Sequence, residues 1–136
     1  SVIVLGWVMS TAGHIFVDRK KSESALRELD KAKASLINKP RSILLFPEGT
    51  RTIDGSLRPF KRGGLLLSID TKLPIAPIAF VGTYDMLRKG SWSMKGHRIE
   101  LRIGHPIDAN KYSYDRRREL AEYVRGRVKE LLKDNY

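Results

Sequence analysis

Hydrophobic and polar positions along this chain change period several times, and each change predicts an element. Val2 to Ala12 is apolar through Trp7, Val8 and Met9 and stops at Gly13. It reads as a buried helical turn or as a piece that docks on a membrane. His14 to Asp18 alternates weakly around the β-formers Ile15, Phe16 and Val17, which predicts a strand ended by Arg19-Lys20-Lys21. Ser22 is a suitable N-cap with Glu23 in the first turn. Ala25, Leu26, Leu29, Ala32 and Leu36 then recur at helical spacing until Asn38-Lys39-Pro40 stops the pattern.

The run Ile43 to Phe46 ends abruptly at Pro47, and its length and flanks favour a buried strand running into a turn. Asp54-Gly55-Ser56 marks a polar loop within Thr52 to Pro59. Phe60-Lys61-Arg62-Gly63-Gly64 leads into Leu65-Leu66-Leu67 and Ile69, a short buried helix closed by Lys72-Leu73-Pro74. Ile75 to Val81 predicts a second near-continuous buried strand, in which Pro77 requires an edge position or an irregularity. In the next strand Ile99, Leu101 and Ile103 are expected to point inward and Glu100 and Arg102 outward. Gly104 to Asp108 reads as a turn. Asp115 to Lys133 is the longest helix, with Leu120, Val124, Val128, Leu131 and Leu132 on one stripe. Strands alternating with helices predict an α/β fold, a mixed, largely parallel sheet flanked by helices, in one domain over residues 1–136.

Composition narrows the partners more than the fold. A hydrophobic fraction of 41% and a charged fraction of 30% describe a folded segment rather than a disordered one. The absence of cysteine removes disulfides, zinc-finger motifs and cysteine nucleophiles. A net charge of +11 points to polyanions: phosphorylated metabolites, anionic lipid headgroups or nucleic acid. No stretch approaches the ~20 apolar residues that cross a bilayer. The chain opens without methionine inside an apolar pattern, so an N-terminally truncated domain is expected.

Chemistry concentrates at Pro47-Glu48-Gly49-Thr50-Arg51. A glycine at a strand's end lets backbone N–H groups approach a ligand or adopts positive φ. Thr50 offers a hydroxyl, and Arg51 a planar fork of donors suited to phosphate or carboxylate. From the residues alone this is an anion site, or else a tight turn with Glu48 and Arg51 solvated.

Phe46-Pro47-Glu48-Gly49-Thr50-Arg51 taken whole is similar to the third signature block of the lysophosphatidic acid acyltransferase family. Gly13 to Arg19 resembles the second block and Leu73 to Ile78 the fourth, in the same order. The resemblance implies a glycerolipid acyltransferase-like fold. It also implies transfer of a fatty acyl group from an acyl thioester to the free hydroxyl of lysophosphatidic acid, giving phosphatidic acid. On that reading Gly49, Thr50 and Arg51 bind the acceptor phosphate and Glu48 shapes the turn. Phe16, Asp18 and Arg19 serve the glycerophosphate end. Lys61 is a further candidate because it is close in sequence, against the alternative of a solvated lysine. Leu73, Pro74, Ile75 and Pro77 form the acyl-donor region, or simply a core strand. Acyl-CoA or acyl-carrier protein is the co-substrate, with no cofactor and no metal.

This chemistry needs a general base for the acceptor hydroxyl, typically a histidine oriented by a carboxylate. The family's first block supplies a histidine and an aspartate separated by four residues, and none of the three histidines here has that partner. His14 and Asp18, if on a strand, lie roughly 13 Å apart. His97 has no carboxylate ahead of it before Glu100, and His105 has Asp108 in a turn of unknown position. No catalytic residue is therefore identified; the dyad is expected upstream of Ser1, and little activity is expected of this chain alone. A non-catalytic lipid-phosphate-binding remnant is the alternative.

Lipid substrates imply a membrane surface and a place at the cytoplasmic face, peripheral or anchored by a segment elsewhere. Gly82 to Gly96 mixes Met86, Leu87, Trp92 and Met94 with Arg88, Lys89 and Lys95, which suits an interfacial loop or one folded back on the domain. Arg116, Arg117, Arg118, Arg125, Arg127, Lys129 and Lys133 raise a rival, a nucleic-acid-binding module. Asp115, Glu119, Glu122 and Glu130 offset them at ion-pairing spacing, so a solvated helix face is expected and no specific nucleic acid.

Overall fold

The computed structural model describes residues 30–31, 33–38, 42–91 and 93–133. The chain divides into two compact units, Ser1–Ile43 and Leu44–Tyr136. In the first, residues 33–38 are helical and Leu36 is buried. The second carries the elements that position the site.

Helix α1, Arg62–Thr71, follows Lys61 as its N-cap and ends at Lys72, which takes the left-handed conformation at φ 58°. Its Leu65 and Leu67 are buried, and the hydroxyl of Ser68 donates to the carbonyl of Leu73 just past the helix end. Strand β1, Ile78–Val81, pairs antiparallel with β2, Glu100–Ile103, and between them Thr83–Met86 forms the one-turn helix α2. After a 3-10 turn, Ala109–Lys111, started by the Asp108 carboxylate accepting from Asn110 N–H, the chain enters the long helix α3, Arg117–Leu132. Leu120, Ala121 and Val124 on α3 join Leu65, Ile107 and Ala109 in the core, with Phe60, Ile69, Ile75 and Tyr112 packed around them.

The β1–β2 register is offset further along. Ile78 faces Ile103, whereas Ile75 faces Ile107. Two residues on one strand therefore oppose three on the other, a bulge over Gly104-His105-Pro106. Pro77 lies opposite it, needs no ladder donor there, and accepts from Gly104 N–H at 2.9 Å. A Cβ on Gly104 would meet Pro77 Cγ at 3.0 Å, so the bulge is close-packed as well as irregular.

Two expectations are corrected, the burial of the run ending at Phe46 and the faces of β2. Among the described residues the sheet is a two-stranded antiparallel pair. The run ending at Phe46 is extended without ladder pairing there, and Leu44 and Phe46 are exposed at 61% and 67%. Leu45, exposed at 40%, leans on α1, within reach of a Cβ on Gly64. In β2 the faces are reversed: Leu101 and Ile103 are exposed at 53% and 64%, and Ile99 is also exposed, while Arg102 is the half-buried residue. Directly opposed residues of an antiparallel pair share a face, so Ile78, Phe80, Leu101 and Ile103 form one side. The other side carries the small, buried Ala79 and the stem of Arg102, whose guanidinium donates to the carbonyls of Leu131 and Lys133 at 2.9 Å each. A cation on the orphan carbonyls of a helix C-terminus is favourable, and the long stem lies along the sheet to reach them.

Candidate functional site

The candidate corner is a reverse turn. Gly49 N–H donates to Phe46 O at 3.0 Å, with Pro47 and Glu48 between. Lys72 is the one non-glycine with positive φ among the described residues, so Glu48 is not left-handed and the turn is type I, with proline in its favoured second place. Gly49 follows at φ 72°, where a side chain is disfavoured.

The loop beyond returns to the same spot. Lys61 N–H donates to Pro47 O at 2.8 Å, closing residues 48–60 at their base. The Lys61 side chain then folds back over Gly49: a Cβ there would lie 2.9 Å from Lys61 Cε and 3.1 Å from Nζ. Lys61 thus brings its ammonium to the corner, and the glycine leaves room for it. Thr50 and Arg51 are exposed, and among the described residues their side chains make no hydrogen bond or ion pair. Glu48 turns the other way, its Oε2 accepting from Arg58 N–H at 2.9 Å.

Inside the loop, Asp54 Oδ1 gathers three donors: the Ser56 hydroxyl at 2.7 Å, the Thr52 hydroxyl at 2.7 Å and Ser56 N–H at 3.0 Å. Those hydrogen bonds, the Ser56 hydroxyl foremost, hold the Asp54 carboxyl well below the usual carboxylate range. The loop is also tied from outside. Tyr84 of α2 donates its hydroxyl to Ile53 O at 2.8 Å, and its ring lies against Gly55. Arg125 of α3 donates to Leu57 O at 3.0 Å and to Arg58 O at 3.2 Å.

Of the sequence-derived candidates, Glu48, Gly49 and Lys61 therefore meet at one turn, with Thr50 and Arg51 next in the chain. Phe16, Asp18 and Arg19 lie outside the described residues, as do His14 and Trp92. The proposed donor stretch is woven into the domain: Leu73 O accepts from Ser68, Ile75 exchanges both backbone hydrogen bonds with Ile107, and Pro77 is buried, while Pro74 is exposed. His97 does have a carboxylate neighbour, Asp85, at 3.8 Å from Nε2 to Oδ2. It comes from twelve residues earlier, on α2, where sequence spacing gave no hint. Both side chains are about half exposed, and the separation is an ion-pair distance rather than a hydrogen bond. Arg125 and Tyr84 were the other residues missed; both act on loop carbonyls, which leave no signature in side-chain pattern.

Part of the basic helix resolves into local pairs. Arg116 binds Glu119 at 2.7 Å and Arg127 binds Glu130 at 2.5 Å, both one turn apart. The hydrogen bond from Arg116, with the charge of its guanidinium, lowers the pKa of Glu119. Among the described residues no helix is long and apolar enough to cross a membrane.

Comparison with known proteins identifies a family. Residues 1–81 match the family model described as Acyltransferase. The chain is 33% identical over 122 residues to a 1-acyl-sn-glycerol-3-phosphate acyltransferase of Limnanthes douglasii, covering 90% of this chain and 42% of that protein. It is 32% identical over 132 residues to the enzyme of the same name from Saccharomyces cerevisiae, covering 96% of this chain and 44% of that one. The crystal structure of the 1-acyl-sn-glycerophosphate (LPA) acyltransferase PlsC from Thermotoga maritima superposes with a TM-score of 0.70 at 34% identity, covering 77% of this chain and 44% of that one. The chain thus spans under half the length of the curated relatives it matches. With its family model reaching from the first residue through β1, this chain belongs to the acyltransferase family.

Proposed function

We propose that this chain is the acceptor-phosphate half of an O-acyltransferase of phospholipid biosynthesis. The acceptor is lysophosphatidic acid and the donor a fatty acyl thioester of coenzyme A or acyl-carrier protein. The observation that carries the reading is the Lys61 ammonium folded onto Gly49, one residue from Thr50 and two from the exposed fork of Arg51. A phosphate monoester is a dianion with three acceptor oxygens. Two cations and a hydroxyl on a fixed turn suit it, Arg51 binding two oxygens at once and Lys61 acting as a point charge. Phe16, Asp18 and Arg19 complete the glycerophosphate end, and the stretch Leu73, Pro74, Ile75 and Pro77 borders the acyl donor.

With the phosphate held, the free glycerol hydroxyl is fixed in place, which lowers the entropic barrier to attack. Its oxygen attacks the thioester carbonyl carbon while a general base takes its proton. The tetrahedral intermediate collapses with cleavage of the C–S bond, and the thiol leaves with the proton. On this reading the base is a histidine of a His-x4-Asp block, which these 136 residues do not contain.

The largely parallel, helix-flanked sheet belongs to the same proposal. Phe80, Leu101 and Ile103 present the kind of apolar face that such a sheet covers. So does a place on the cytoplasmic face of a membrane, where each basic residue near anionic lipid adds on the order of 1 kcal/mol. Met94, in the loop after α2, is exposed at 68%.

Thioester consumption with lysophosphatidic acid tests the assignment. A protein carrying this chain together with a His-x4-Asp block is expected to turn over, and its Arg51→Gln variant to need far more acceptor for half-maximal rate. This chain alone is expected to be nearly inactive. Full turnover by the chain alone, or an Arg51→Gln variant with unchanged acceptor dependence, contradicts it.

A further inference from the structure

We infer that Arg125 is a positioning residue for the anion-binding corner, acting through the peptide group that joins Leu57 to Arg58. That single peptide unit is gripped at both ends. Its carbonyl, Leu57 O, accepts from Arg125 Nη2 at 3.0 Å, and its N–H, on Arg58, donates to Glu48 Oε2 at 2.9 Å. Arg125 also donates from Nε to the next carbonyl, Arg58 O, at 3.2 Å. A guanidinium, a peptide dipole and a carboxylate thus form one chain from α3 to the residue that precedes Gly49.

The arrangement is electrostatically consistent from end to end. The cation draws electron density toward the peptide oxygen, which makes the N–H a stronger donor to the carboxylate, so each hydrogen bond strengthens the other. Both ends are charged, the stronger class of hydrogen bond. The guanidinium has the planar fork needed to take two successive carbonyls, which an ammonium lacks. Arg125 itself is anchored on the core: Val124 beside it is buried, and Arg125 is half-buried with Glu122 at 3.9 Å. The loop by contrast is mostly exposed between Thr50 and Pro59, and has no secondary structure of its own to hold Glu48 in place. Arg125 thereby gives the corner a reference to the rigid helix. On sequence it is one of seven basic residues on a helix face; in the fold it is the one that reaches the loop backbone.

The functional part of this inference rests on the phosphate reading of the corner, and the test separates the two. Amide exchange at Arg58 and binding of glycerol 3-phosphate are measured on the chain and on Arg125→Gln, Arg125→Lys, Arg118→Gln and Arg51→Gln. Arg118→Gln removes the same charge from the same helix at an exposed position beside Phe60 and Arg62, where the side chain makes no hydrogen bond to the loop carbonyls. Arg125→Gln is expected to speed exchange at Arg58 and weaken glycerol 3-phosphate by about tenfold, the scale of one lost charge-assisted hydrogen bond. Arg125→Lys is expected to fall between, and Arg118→Gln to match the parent in both. Unchanged exchange at Arg58 in Arg125→Gln overturns the relay. Equal weakening by Arg118→Gln and Arg125→Gln overturns it too, because charge alone then explains the loss. If the parent binds no glycerol 3-phosphate, the phosphate reading fails, and Arg58 exchange still decides whether Arg125 holds the loop.

Discussion

Lys61 lies over Gly49, twelve residues away in the chain, with its Cε 2.9 Å from where a Cβ on that glycine would stand. The contact follows from two separate requirements at position 49. The backbone there is left-handed at φ 72°, closing the turn after Pro47, and the space a side chain would fill is occupied by the lysine stem. A cation is thereby delivered to the corner by a residue that caps α1 with its backbone.

Gly49→Ala is expected to cost about 1–2 kcal/mol of stability, because a Cβ in the left-handed region meets its own backbone. The clash with Lys61 adds little, since the far end of a flexible side chain swings away. That movement should show in binding: Gly49→Ala weakens glycerol 3-phosphate in the parent and weakens it much less in a Lys61→Ala background. The stability cost should be the same in both backgrounds. Urea denaturation and calorimetric titration of the four proteins check both statements.

Asp54 gives the loop a pH signature. Its carboxyl is held below the usual range by the hydroxyls of Ser56 and Thr52 and by Ser56 N–H. A folded pKa below the unfolded one contributes stability that is complete above the unfolded value and is lost as pH falls toward the folded one. The difference in urea midpoint between the parent and Asp54→Asn should therefore be largest at neutral pH and shrink as pH drops from about 5 to about 3. A difference that grows with acidity would contradict the assignment. The effect should be small, since the carboxylate is fully exposed.

The core under the loop rests on Leu120, which is wholly buried among Leu65, Ile107 and Val124. Leu120→Ala should lose about 2–5 kcal/mol by removing buried carbons and leaving a cavity. Arg118→Gln, two residues earlier and exposed, should stay within about 0.5 kcal/mol of the parent. Thermal and urea unfolding followed by circular dichroism measure both.

How far the chain could be read before the fold was known depended on the distance over which its signals act. The α3 stripe and the Asp54-Gly55-Ser56 loop were legible because their determinants are neighbours: Leu120, Val124 and Val128 recur by turns, and Asp54 bonds residues two away. The turn at Pro47-Glu48-Gly49 was legible for the same reason. β2 was misread because alternation says which residues share a face but not which face is covered. Here small Ala79 admits the packed side, and Arg102 hides its stem while its head finds the end of α3. Arg125 was illegible as a partner of the loop: it binds backbone carbonyls as many as 68 residues earlier, and any residue has a carbonyl. The pairing of His97 with Asp85 failed for a like reason, the two being brought together by the chain's return from α2 to β2.

The most direct measurement is a titration of the chain with glycerol 3-phosphate, and with glycerol as control, followed at the backbone amides of Gly49 and Thr50 by NMR in the parent and in Arg51→Gln. The account predicts saturable shifts at both amides with glycerol 3-phosphate, none with glycerol, and their loss in Arg51→Gln. Shifts confined to the basic face of α3, or a response at Gly49 and Thr50 that survives Arg51→Gln unchanged, would contradict it.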